Sequence, residues 1–89
     1  MNLDVNAAKT EVQEKDEHQI ESETALKWAA RSIACFQLYD ETDELKWLFR
    51  AEDMRHEAIE HASLADEETL DFVRKELDEA KAKLTPEAE

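Results

Sequence analysis

The stretch that decides the fold is Leu45 to Ser63, LKWLFRAEDMRHEAIEHAS. Wound as an α-helix at about 100° per residue, it places Leu45, Leu48, Phe49 and Ile59 on one side, with Glu52 and His56 in the middle of that stripe. Trp47, Ala51, Met54, Ala58 and Ala62 fall on the opposite side. A helix with two apolar stripes needs two packing partners. The stripe Leu45–Phe49–Glu52–His56–Ile59–Ser63 keeps a 4-3 spacing, the heptad pattern of a helix–helix seam. A carboxylate and an imidazole therefore stand where apolar residues are expected.

Working outward, the segment YDETDEL before this helix holds Asp40, Thr42 and Asp43, weak helix formers and candidate N-caps. A short turn is expected there, closing a helical hairpin. The upstream arm runs from about His18 to Tyr39, with a stripe of Ser22, Ala25, Leu26, Ala29, Ile33 and Phe36 and a shoulder of Trp28 and Tyr39. Its alanines let a neighbouring helix approach closely. The competing reading is one unbroken helix, because neither Gly nor Pro enforces a stop. It would put Asp40 and Asp43 at successive seam positions, which favours the hairpin.

Downstream, Asp66 offers an N-cap for a third helix, with Glu67 and Glu68 in the first turn, where the helix dipole favours acids. Leu70, Val73, Leu77, Ala80 and Leu84 share one face of it, with Phe72 alone on the other. Thr85-Pro86 ends the pattern. Residues 1–17 carry scattered Leu3, Val5 and Val12 in a polar setting, so a flexible or frayed N-terminal segment is expected there. The helical domain then spans 18–85, and 86–89 form a loose end.

Composition agrees with an all-α chain. Among 89 residues there is no Gly and a single Pro, and 42% are hydrophobic. A sheet with tight turns is disfavoured, and a phosphate-cradling glycine loop cannot form. A chain of this length buries only about 60% of its unfolded surface and often gains from oligomerising. Acids outnumber bases 24 to 11, a net charge of −13. Direct binding to nucleic acid or to an anionic membrane is disfavoured, since both demand a basic surface. A basic protein partner, or a site that normally holds DNA, is the complementary expectation. MNLDVNAAKT has no apolar leader, and one cysteine, Cys35, cannot form an internal disulfide, so a cytoplasmic location is expected. Cys35 is most simply a small packed hydrophobe.

The candidate chemistry lies on the opening helix. Glu52, Asp53, His56, Glu57, Glu60 and His61 bring carboxylates and imidazoles together within three turns. Hard oxygen donors with a neutral nitrogen on facing helices are what an iron or zinc site in a bundle needs. LFRAEDMRHEAIEH resembles the metal-binding helix of the ferritin-like and rubrerythrin-like di-iron family, in which an acid three residues before a histidine supplies ligands, as Asp53 and His56 stand here. The pattern departs from the family, since the acid is an aspartate and Glu52 holds the centre of the seam. With a turn near residue 41, Arg31 and Lys27 lie level with Glu52 and His56, and Glu23 level with Glu60. The resemblance therefore implies a metal site of Glu52, His56, Glu60 and Glu23 completed between subunits. The plainer alternative is a polar layer in a helix interface, in which Glu52 and His56 satisfy each other, or a half-buried stripe that faces water. Ser22, Ser32 and Ser63 lack a nucleophile setting, and no acid–base pair stands out among 24 acids, so catalysis has no specific support.

The expectation is an all-α helical hairpin with a third C-terminal helix, two copies pairing into a dimeric bundle. Two stripes on the middle helix, the Trp28–Tyr39 shoulder and Phe72 are more apolar faces than one hairpin and one helix can cover. Trp28, Trp47, Phe49 and Met54 are the candidate interface residues. The leading function is a small acidic protein–protein interaction module, acting as a regulator, adaptor or inhibitor without a cofactor. Its rival is a ferritin-like metal-binding or iron-oxidising protein.

Overall fold

In the computed structural model the structure describes residues 1–15 and 24–84. These form four α-helices and no strand: α1 (Val5–Glu14), α2 (Ala25–Thr42), α3 (Leu45–Ala65) and α4 (Glu67–Ala82). The expected start of the first long helix, 18–23, and the end beyond 84 lie outside the described residues. No helix among the described residues is long and apolar enough to cross a membrane.

The hairpin expected at YDETDEL is present. Asp43 adopts a left-handed conformation with φ 62°, and its N–H bonds the Tyr39 carbonyl, closing α2. This is a helix C-terminal stop usually made by Gly; Asp and Asn are the residues that tolerate it next best. Asp43 thus ends α2 rather than capping α3, and Thr42 fastens the corner by donating to Leu38 O and accepting from Glu44 N. Asp66 caps α4 as expected, accepting from Thr69 N at 2.7 Å.

Helix α2 lies at the centre and touches all three others. Its α3 side is Trp28, Ser32 and Cys35: Trp28 stacks with His61, Ser32 Oγ donates to Ala51 O at 2.7 Å, and Cys35 meets Met54 at 3.8 Å. The α3 stripe facing it is Trp47, Ala51, Met54, Ala58 and Ala62, every one buried. Three alanines on that stripe bring the two backbones close enough for a serine on one helix to reach a carbonyl of the other. Phe36, Val73 and Leu77 belong to the same buried core, with Leu70, Ala80 and Leu84 packed at its edge.

Helix α1 replaces the frayed extension that the sequence suggested. Asp4 caps it by accepting from Ala7 N, and Val5, Ala8 and Val12 form a stripe at 3-4 spacing whose centre, Ala8 and Val12, is buried. Ten residues fall short of the roughly 12–15 an isolated helix needs to hold in water, so α1 depends on its docking.

The count of apolar faces that called for a second chain is largely met within one. Trp28 packs into the α2–α3 seam, and Phe72 lines a cleft with Leu3, Val5 and Ile33 between α1, α2 and α4. Dimer pairing therefore loses two of its supports. Among the described residues, the large apolar side chains left exposed are Met1 and, on α3, Leu45, Phe49 and Leu64.

Candidate functional site

The stripe of α3 that carries Leu45, Phe49, His56 and Glu60 faces outward. Leu45 is 55% exposed and Phe49, one turn on, 63%. Leu48 and Ile59, on the flank, are half-buried against the core. His56 and Glu60 continue the exposed face, and Leu64 stands free at the far end, 86% exposed. Electrostatics explains this choice of face. Burying Glu52 and His56 would take two ionisable groups out of water, whereas the Trp47–Ala62 stripe carries no charge to desolvate.

Of the predicted metal residues, His56 and Glu60 meet and Glu52 does not join them. Glu52 turns to α4 and pairs with Lys81 at 2.8 Å. His56 Nε2 reaches forward along α3 to Glu60 at 3.1 Å, with 73% of the imidazole side chain exposed. Glu52 and His56 therefore do not satisfy each other as a polar layer, and each has its own partner. Among the described residues no group of three His, Cys, Asp or Glu side chains could hold a metal ion. Glu23, the fourth expected ligand, lies outside the described residues. Glu52 is instead paired with a cation on the neighbouring helix.

The hairpin keeps the expected register, since Ser32 meets Ala51 one residue from the Arg31–Glu52 level, but the side chains at that level part. Arg31, expected beside Glu52, instead gives a bidentate pair to Glu11 of α1, Nε–H to Oε1 at 2.8 Å and Nη2 to Oε2 at 3.1 Å. His61 sits over Trp28 and lies 3.8 Å from Glu57. Of the four candidate interface residues, Trp28, Trp47 and Met54 are buried inside the single chain, and Phe49 alone is on the surface.

Two arginines, Arg31 and Arg50, organise the α1 side. Arg31, 3% exposed, stacks its guanidinium on Trp28 at 4.9 Å while holding Glu11. Arg50 stacks on Trp47 at 5.1 Å and donates to Val12 O at 3.3 Å and Lys15 O at 3.0 Å, carbonyls at the end of α1. A ring face holds the flat guanidinium in place and leaves its N–H edge free to bond. The sequence carries a faint signal for this helix: Asp4 before a Val5–Ala8–Val12 stripe in which Ala8 is small.

No family model, curated protein or solved structure matches the chain. The outward face of α3 is thus read from its own chemistry. Leu45 and Phe49 form an apolar step one turn wide, followed by Asp53, His56 and Glu60, with Glu44 before it. Lys46 leans over the Trp47 ring at 5.0 Å, which leaves acids as the main charge beside the apolar step.

Proposed function

We propose that this chain is a small acidic interaction module, a regulator, adaptor or inhibitor, that offers the outward face of α3 to a basic amphipathic helix of another protein. The observation that carries the reading is the pairing of Leu45 and Phe49, both more than half exposed, on a helix whose opposite face already fills the core. Among the described residues, packing gives these two side chains little role, and a single exposed aromatic with an aliphatic neighbour is the kind of anchor a helix-in-groove contact uses. The acids along the same face, within a chain of net charge −13, would steer a basic partner toward it.

The test is a titration with a synthetic helical peptide that alternates leucine and lysine faces, against an isosteric peptide with glutamate for lysine. The basic peptide should bind, and the affinity should fall steeply between about 0.05 and 0.3 M salt. The double substitution Leu45→Ala and Phe49→Ala should weaken binding by at least about tenfold, the loss of one good anchor. Equal binding of both peptides, or binding indifferent to the double substitution, would reject the reading.

A further inference from the structure

We propose that α1 is a releasable strap: it opens as a unit ahead of the rest of the chain and uncovers, on α2, a groove for a short amphipathic helix of α1's own pattern. This does not rest on the reading of the α3 face.

The first ground is how α1 is held. Two of its ten side chains are buried, Ala8 and Val12, whereas eleven are buried in the eighteen residues of α2. Val5 adds a partly buried contact at the edge of the core, and the other attachments among the described residues are polar. Arg31 holds Glu11, Arg50 holds the carbonyls of Val12 and Lys15, and Lys9 pairs with Glu41 at the far end of α2. Elements with few buried apolar contacts open at the low end of the range of local stabilities, before the core does.

The second ground is what lies under α1. On α2, Ala30, Arg31, Ala34, Leu38 and Glu41 share one side at helical spacing, and Arg31 and Glu41 are the residues that bond α1. Ala30, Ala34 and Leu38 are each 5% exposed or less. Small side chains flanked by Leu38 make a shallow seat into which one ridge of a helix fits. The seat already shows its ligand: a helix with β-branched or small residues at Val5, Ala8 and Val12, a lysine on one edge and a glutamate placed for Arg31. Both arginines stay posed after release, because Trp28 and Trp47, on which they stack, belong to α2 and α3. The charge of the chain does not oppose closure, since residues 1–15 hold three acids against two lysines and are nearly neutral.

Hydrogen exchange on the full chain decides the first half. Amides of Ala8–Glu14 should exchange at least about tenfold faster than those of Ala29–Leu38, and Glu11→Gln should widen the gap while leaving α2 unchanged. For the second half, Val12→Asp in the full chain puts a charge under α1. A synthetic peptide of residues 1–15 with the original sequence should bind this variant at least about tenfold more tightly than the original chain, whose seat is filled. The substitution Glu11→Gln in the peptide should reduce that binding. Equal exchange in α1 and α2 would overturn the proposal. So would loss of all helicity in the Val12→Asp chain, which would make α1 part of one cooperative core, and so would failure of the peptide to bind the folded variant.

Discussion

Asp43 shows how a chain without glycine still turns a tight corner. Its φ of 62° costs a residue with a Cβ roughly 1 kcal/mol, and the Thr42 hydroxyl bonds on either side of it hold the geometry. Asp43→Gly should raise stability by up to about 1 kcal/mol, read as a higher denaturation midpoint with unchanged slope. A lower midpoint would mean that the aspartate side chain contributes at the corner. Asp66 makes a different prediction. The Thr69 backbone N–H, and then its hydroxyl, bond the carboxylate and hold its pKa below the ordinary aspartate value. A depressed folded pKa contributes stability that is complete above the unfolded value and is lost as pH falls through the folded one. Helix α4 should therefore loosen below the ordinary aspartate range, and in Asp66→Asn that part of the acid dependence should vanish. An unaltered acid profile would assign it to other carboxylates.

At the scale of the element, α3 has two faces with opposite demands. Met54 is fully buried against Cys35, so Met54→Ala should cost about 2–5 kcal/mol in chemical denaturation. Ala58, equally buried, should not accept Leu, because overpacking a close helix contact costs about 1–3 kcal/mol. Phe49→Ala and Leu45→Ala should each stay within about 0.5 kcal/mol of the original chain. A large loss from Phe49→Ala would place that ring in a contact that the fold itself needs. The contrast also separates stability from binding, since the same two substitutions are expected to weaken a basic helix.

For the whole molecule, a net charge of −13 on one small domain is self-repulsive at low ionic strength. Screening should help more than it harms, because most cross-helix ion pairs, such as Arg55–Asp78 and Lys81–Glu52, are exposed and weak. The melting temperature should rise between about 0.01 and 0.15 M salt, over which the screening length falls from about 30 to 8 Å. A falling melting temperature would mean that the ion pairs outweigh the repulsion.

The helical class, the hairpin, the Asp66 cap and the inward face of α4 follow from sequence, because each depends on local chemistry: the absence of glycine, capping residues at the right offset, and one unambiguous apolar stripe. Periodicity alone also locates both stripes of α3. Which stripe is buried was decided by tertiary structure. Trp47, Ala51, Met54, Ala58 and Ala62 can meet α2 at close range without desolvating a charge, while Glu52 and His56 keep water and take Lys81 and Glu60 as partners. The docking of α1 was likewise beyond local reading. Its helix is too short to hold alone, and it exists because Arg31 and Arg50, distant in sequence, are set by two tryptophans to receive it.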